Sequence, residues 1–510
     1  MGFFCRTRLL SPALVVVLCV PACPQRPPAT AEPVRMRVGV PAPQTLLEAT
    51  GVKNLRREMT TDSWLSTQPD GRNTARLVSA WNWNDDRTRL QLTLRNDVYF
   101  HEGTKLTPEI AAAILRENIK AESVGSFSSV TSVDVSGADR LQLTLSAPNS
   151  FLVPDLGMVV ARLPGKADIG TGPFRIVESP SGADNSDLMV LRAWERYYRG
   201  RPLLDEIDIH TYPTQRSAWT ALMRGEIDML HEVSRDAADF VQAETAIKSY
   251  SFRRSYYIPF VFNMRHPALK NVEVRKAINE AVDRQVLIRE GLRGRGRPAD
   301  GPIWPDHWAY VAAPESLTFN PAAARLRLDA AGFPVKPATG GNMPARLSFT
   351  CLVFNDDSRF EHLALLLQRQ LADVGIDMRL QGTPMVDLEA RVKAGDFDAF
   401  LFEMAGRSLS WVYEFWHTRE GGYVDSGYRS LDAVLEQLRA SRSDEETRAT
   451  VAILAKILHD DPPAVFIAWQ EQVRAVSRAF DVATENNRDP LANVWQWRPV
   501  SPQEARQARR

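Results

Sequence analysis
Strict alternation of apolar and polar residues marks the early part of the chain. "VRMRVGV" (34–40) alternates. In "RTRLQLTLR", Leu90, Leu92 and Leu94 fall on one face and Arg89, Gln91, Thr93 and Arg95 on the other. This two-residue period predicts half-buried strands. The pentapeptide LQLTL returns at 141–145, with an arginine before each copy (Arg89, Arg140) but no further match in the flanks, which predicts two strands buried alike rather than a repeat. Between them the period lengthens. "TPEIAAAILRENIKAE" predicts a helix with Thr107 as N-cap, Pro108 in the first position and Ile110, Ile114 and Ile119 inside.

The second half mixes the two periods. "EVRKAINEAVDRQVLIREGL" puts Val274, Ile278, Val282 and Leu287 roughly along one helical stripe. "RFEHLALLLQRQLADVGIDMRLQG" carries Leu363, Leu367, Leu371 and Val374, with Gly375 closing the helix. Ile376, Met378 and Leu380 then alternate into a strand. "SRSDEETRATVAILAKILHDDPP" opens on a capping box of Ser443 and Glu446 and stops before its prolines. Helices and strands intermixed in this way predict α/β lobes.

At 510 residues the chain exceeds one core and suits two or three domains. With 62 basic and 62 acidic side chains, its charge gives no reason to expect nucleic acid as a partner. Of four cysteines, Cys5, Cys19 and Cys23 lie at the N-terminus. Cys351 shares a strand face with Leu347, Phe349 and Val353 and reads as a buried thiol. No disulfide framework or cysteine metal site is expected.

The N-terminus places a basic start, Arg6 and Arg8, before an apolar run from Leu9 to Val20. The run is shorter than the ~20 residues of a membrane span and has the size of an export signal. Val20-Pro21-Ala22-Cys23 resembles a bacterial lipoprotein box, although Pro21 is unusual there and simple signal cleavage is the other reading. The resemblance implies cleavage after Ala22, a lipid on Cys23 and a membrane tether through the Pro-rich segment 23–33.

Six stretches, in order, resemble one family. They are "LVSAWNWNDDRTRLQLTLRNDVYFHEGTKLT", "IGTGPFRIVE", "AWERYYRGRPLLDEIDIH", "ALMRGEIDML", "PFVFNMRHPALKNVEVRKAINEAVD" and "FNPAAARLRLDAAGF". Together they resemble the extracytoplasmic solute-binding proteins of peptide and nickel ABC importers, family 5. The resemblance implies a two-lobed periplasmic-binding-protein fold of type II, a clamshell with an extra subdomain inserted in the first lobe. Residues 34–62, 162–264 and 477–499 would form lobe I, 63–161 the inserted subdomain, 265–476 lobe II and 500–510 a basic tail. Closure over a ligand would be the signal to a membrane permease and its ATPase.

Most motif matches speak for the fold. Gly170, Gly172 and Pro173 read as a tight turn, Phe100 and Phe174 as core, and Asp85-Asp86 as a turn. Ligand candidates fall in three places. Tyr256, Tyr257 and Asn263 sit at the lobe crossing, where tyrosines serve either a cleft or sheet packing. Arg293, Arg295 and Arg297 precede Trp304 and Trp308, in a segment that is either a solvated loop or a cation source for an anionic ligand.

The third place is "AGRSLSWVYEFW" (405–416). In the peptide binders the matching segment carries an aspartate that grips the ligand's α-amino group. Gapless alignment puts Arg407 at that segment's tryptophan, Ser410 at the aspartate and Trp411 at the tyrosine. A serine lacks the carboxylate's charge-assisted bond, and Asp425 is either a substitute acid or a turn residue. The expected solute is an oligopeptide or peptide-like molecule. Anionic, sugar or metal-chelate solutes, or a sensor role on the same fold, are the alternatives. An enzyme is not expected, since no Gly-x-Ser-x-Gly, His-Glu-x-x-His or Walker loop occurs. Asp396 and Asp398 have no more than a suggestive spacing. No cofactor, no metal site and a monomeric chain are expected.

Overall fold
The structure is a computed structural model. It describes residues 1–2, 32–41, 50–121, 125–166, 168–178, 188–233, 238–313, 317–337, 344–406, 408–419, 422–482, 488–501 and 503–504. Cys23, with the signal and most of the tether, Arg407 and most of the basic tail lie outside the described residues. Met1–Pro33 separates from the unit Val34–Arg510.

One large sheet runs through both lobes. At one end, Arg35–Pro41 lies parallel to Glu206–Tyr212 and Met229–Leu230, and Leu188–Ala193 and Phe174–Glu178 extend that side antiparallel. At the other, Leu347–Phe354 lies parallel to Ile376–Thr383 and Ala399–Leu401. Two long antiparallel strands, Ile247–Phe262 and Ala464–Ser477, join the ends.

Four apolar cores show where the lobes divide. Met36, Val38, Leu191, Ile207 and Trp497 belong to a core of lobe I, with Leu222, Ile247 and Val473 in a second one. Lobe II has one large core that takes in Tyr257, Phe260, Phe262, Val465 and Trp469. The division therefore falls within the joining strands, between Arg253 and Tyr257 and between Trp469 and Val473. It precedes the expected breaks at 264 and 476, because apolar side chains of the same strands fill both cores. The ladder loses its register there: Arg253 faces Glu471, and pairing resumes at Tyr257 with Trp469.

The inserted subdomain has its own core, including Trp64, Leu90, Leu92, Phe100, Ile114, Leu141 and Leu143. The two LQLTL strands are neighbours there. Leu90 faces Leu143 and Leu92 faces Leu141, so the repeated pattern reflects two strands sharing one buried face. Helix Pro108–Ala121 covers that sheet, with the Ile110 amide 3.4 Å from the Thr107 hydroxyl.

Three local expectations change. The stripe from Val274 to Leu287 is two helical pieces. Val272–Ala281 ends where Val282 is extended, and Asp283 then caps the amides of Gln285 and Val286 to start another turn. At helix Asp444–Asp460, Ser443 caps Glu446, but the Glu446 carboxylate reaches the Arg442 amide, one residue before the N-cap. The Gly-Thr-Gly-Pro turn needs its glycines for close approach. A Cβ at Gly172 would sit 2.4 Å from the Thr60 carbonyl carbon, whose oxygen takes the Gly172 amide at 3.0 Å.

Candidate functional site
A cavity of about 1560 Å³ is walled by lobe I, the subdomain, lobe II and the joining strands. That exceeds the ~300–1,000 Å³ of an ordinary small-molecule site. Arginine supplies its cations, and no lysine stands among the described lining residues. Arg57 and Arg488 come from lobe I, Arg76 from the inserted subdomain, Arg253, Arg254 and Arg474 from the joining strands, and Arg289, Arg293, Arg295 and Arg359 from lobe II. The planar guanidinium fork suits carboxylates, which it can hold through two parallel bonds.

Several of these cations are committed within the fold. Arg76 donates to Asp62 at 2.8 Å; burial is the largest influence and opposes its charge, but Asp62 together with Tyr197, Tyr198 and Glu58 holds its pKa above the arginine range. Arg474 binds both Asp489 oxygens at 2.6 Å and donates to His231 Nδ1 at 2.6 Å. Burial, then the Arg474 charge, keeps His231 neutral, with its pKa well below the ordinary value. Glu403 ties lobe II to the joining strands, accepting from Arg254 at 3.2 Å and from Gln470 at 2.6 Å. Arg359 pairs with Asp357 and bonds Gln470 at 3.0 Å. Burial works against its charge, yet Asp357 and Glu403 raise its pKa above the ordinary value.

The wall also carries Glu58, Glu232 and Glu471, half-buried. No hydrogen bond or ion pair engages their carboxylates among the described residues. The cavity therefore presents charge of both signs. Among the described residues, no three His, Cys, Asp or Glu side chains converge as a metal ion would need.

Of the residues singled out from sequence, Tyr256 and Trp304 line this cavity. The Arg254 guanidinium lies 4.4 Å from the Tyr256 ring centroid. Trp304 is mostly buried, and its indole N–H donates to the Pro69 carbonyl at 3.2 Å. Tyr257 is a core residue at 1 % exposure, its hydroxyl accepting from Trp416 Nε1 at 3.0 Å. Asn263 is buried because its amide closes a turn, donating to the carbonyls of Gly395 at 3.0 Å and Phe397 at 2.6 Å. Asp425 pairs with Arg265 at 2.6 Å, away from the cavity lining.

Ser410 and Trp411 sit at a contact between lobe II and the subdomain. Helix Leu409–Trp416 meets the short helix Leu152–Leu156 there. Asp155 accepts from Ser410 at 2.8 Å and Ser408 at 3.0 Å. Phe151 packs on Tyr413, and the Trp411 indole points to Met158 Sδ at 3.4 Å. Within that stretch Ser408 is the described residue that lines the cavity.

Sequence reasoning passed over Arg57, Arg76, Arg253, Arg254, Arg359 and Arg474. Arg293 and Arg295 line the cavity, whereas Arg297 pairs with Asp306 at 3.1 Å. The signal that was available is "RRSYY" at the lobe crossing, where adjacent arginines precede the two tyrosines.

Comparison with known proteins gives a consistent picture. Residues 74–423 match the family model described as "Bacterial extracellular solute-binding proteins, family 5 Middle". The oligopeptide-binding protein AppA of Bacillus subtilis is 22% identical over 444 residues, 79% of this chain and 79% of that protein. Heme-binding protein A of Haemophilus influenzae is 23% identical over 438 residues, 77% of this chain and 78% of that protein. Among solved structures, NikA from Brucella suis in complex with Fe(III)-EDTA superposes with a TM-score of 0.78 at 20% identity. It covers 91% of this chain and 100% of that one.

Proposed function
Because the chain belongs to the bacterial extracellular solute-binding proteins of family 5, we propose that it is the capture component of an ABC importer. It takes up a peptide-sized, carboxylate-bearing solute between its lobes and presents it to a membrane permease. The observation that carries this reading is the large cavity walled by both lobes and lined with arginines. Oligopeptide, haem and Fe(III)-EDTA, named for the related proteins, all bear carboxylates, which supports the same class here.

One observation favours a non-peptide acid within that class. Gapless alignment would put Ser410 at the ammonium-gripping aspartate of peptide binders, and the Ser410 hydroxyl is bound to Asp155 outside the cavity lining. Glu58, Glu232, Glu361 and Glu471 are the lining acids left, among the described residues, to meet an ammonium.

Mass spectrometry of solute released from the purified chain, followed by calorimetry with the identified compound, tests the proposal. The expected result is one solute per chain, bearing at least one carboxylate. Consumption of that solute by the protein, or a chain that binds neither peptides nor organic acids, would overturn it.

A further inference from the structure
Arg253 is the last residue of the joining strand Ile247–Phe262 in regular register before the ladder slips. Its Nη2 donates to the Pro69 carbonyl at 3.1 Å, the same oxygen that takes the Trp304 indole. Its guanidinium lies over the Trp304 ring, 4.5 Å from the centroid. Three parts of the molecule thereby fix one planar cation: a joining strand, a lobe II loop and a subdomain turn.

Of its other two nitrogens, Nη1 is buried and has no hydrogen-bond partner. Glu471 stands opposite Arg253 in the ladder, yet no ion pair joins them. Asp306 is engaged by Arg297. Among the described residues no carboxylate pairs with Arg253. Its neighbours in the wall differ, since Arg254 has Glu403, Arg359 has Asp357 and Arg474 has Asp489.

Burial lowers the Arg253 pKa to about 10, with Asp306 and Arg297 acting in opposite directions. The group still carries its charge at neutral pH. A half-buried charge with an orphaned donor is costly unless something compensates it, and Arg253 is among the residues that line the cavity.

We propose that Arg253 anchors an anionic oxygen of the bound solute, as on a carboxylate or a phosphate, through its guanidinium. Trp304 and the Pro69 carbonyl hold the guanidinium in place for it. This rests on the solute-capture reading above and names the chemistry that the cavity selects.

Calorimetry on the purified chain and on Arg253→Gln and Arg253→Lys tests it. The probes are citrate, inorganic phosphate, a tetrapeptide library with free C-termini and the same library C-terminally amidated. At least one anionic probe binds the wild type, and Arg253→Gln weakens it roughly 10- to 100-fold. Arg253→Lys, which keeps the charge, loses less. Weakened citrate or free-terminus binding marks a carboxylate, and weakened phosphate binding marks a phosphate. Any binding of the amidated library is equal in wild type and Arg253→Gln.

Without probe, Arg253→Gln melts no lower than the wild type, because an uncompensated charge has been removed. Anionic-probe affinity unchanged within about twofold in Arg253→Gln would overturn the anchor while leaving solute capture intact. A marked drop in melting temperature without probe would overturn it too, by showing that the fold already uses the charge. Failure of every probe on the wild type would instead remove the solute-capture reading, and the anchor with it.

Discussion
Asp155 takes two hydroxyls from the other side of a domain contact, those of Ser408 and Ser410. The two hydroxyls also meet each other at 2.6 Å, so alanine leaves one of them without an acceptor, and Asp155→Ala is expected to lower unfolding stability by roughly 1–3 kcal/mol. Asp155→Asn keeps an acceptor and loses less; urea titration of the two variants checks the order. Gly71 makes a second residue-scale case. It has φ +82°, and an added Cβ would lie 2.4 Å from the His307 ring, so Gly71→Ala is expected to cost roughly 1–3 kcal/mol in thermal unfolding.

The candidate site was least legible at this scale. Arg253 and Arg254 are identical neighbours in sequence, but only Arg254 meets an acid, Glu403. Regular strand alternation would turn them to opposite faces, whereas both line the cavity. The register shift beside them re-aims side chains in this manner, and no residue pattern announced it. For Ser410, alignment supplied a place along the chain but not the direction of the hydroxyl.

Among the elements, the joining strands decide most. Their lobe II halves bury Tyr257, Phe260, Phe262, Val465 and Trp469, so they are core before they are hinge. Asn263 ends the first strand by holding two carbonyls. Asn263→Ala strands both and is expected to cost at least ~1–3 kcal/mol, read as a lower urea midpoint.

Element periods were easy to read where one face is buried throughout. Leu90, Leu92, Leu141 and Leu143 stood out for that reason, and they pair as one face. The break at Val282 escaped because its apolar spacing continues the helical stripe. Asp283, which caps the next turn, was the polar signal against it.

At the scale of the whole molecule, four histidines tie stability to pH. Burial lowers the pKa of His101, His210, His231 and His307, the last to about 3. The folded chain keeps them neutral, while the unfolded chain protonates them below ~6.5. Their contribution is therefore complete above that pH and declines as pH falls, by up to ~1.4 kcal/mol per pH unit for each. Comparing urea unfolding at pH 7 and 5.5 in wild type and His307→Asn checks this. The variant is expected to lose less stability over the interval, by about one proton's share.

The two-lobed plan followed from six ordered stretches because each fixes a turn or a buried strand of the scaffold. The solute was not legible, since its contacts come from distant segments that only the fold assembles. If Cys23 is the lipid site, labelling with a fatty-acid analogue marks the wild type and not Cys23→Ser.

Capture by closure of the two lobes is the central claim, and small-angle scattering on the purified, ligand-stripped chain tests it most directly. Adding back the released solute should reduce the radius of gyration, with saturation at one solute per chain. An unchanged scattering curve at saturating solute would contradict it.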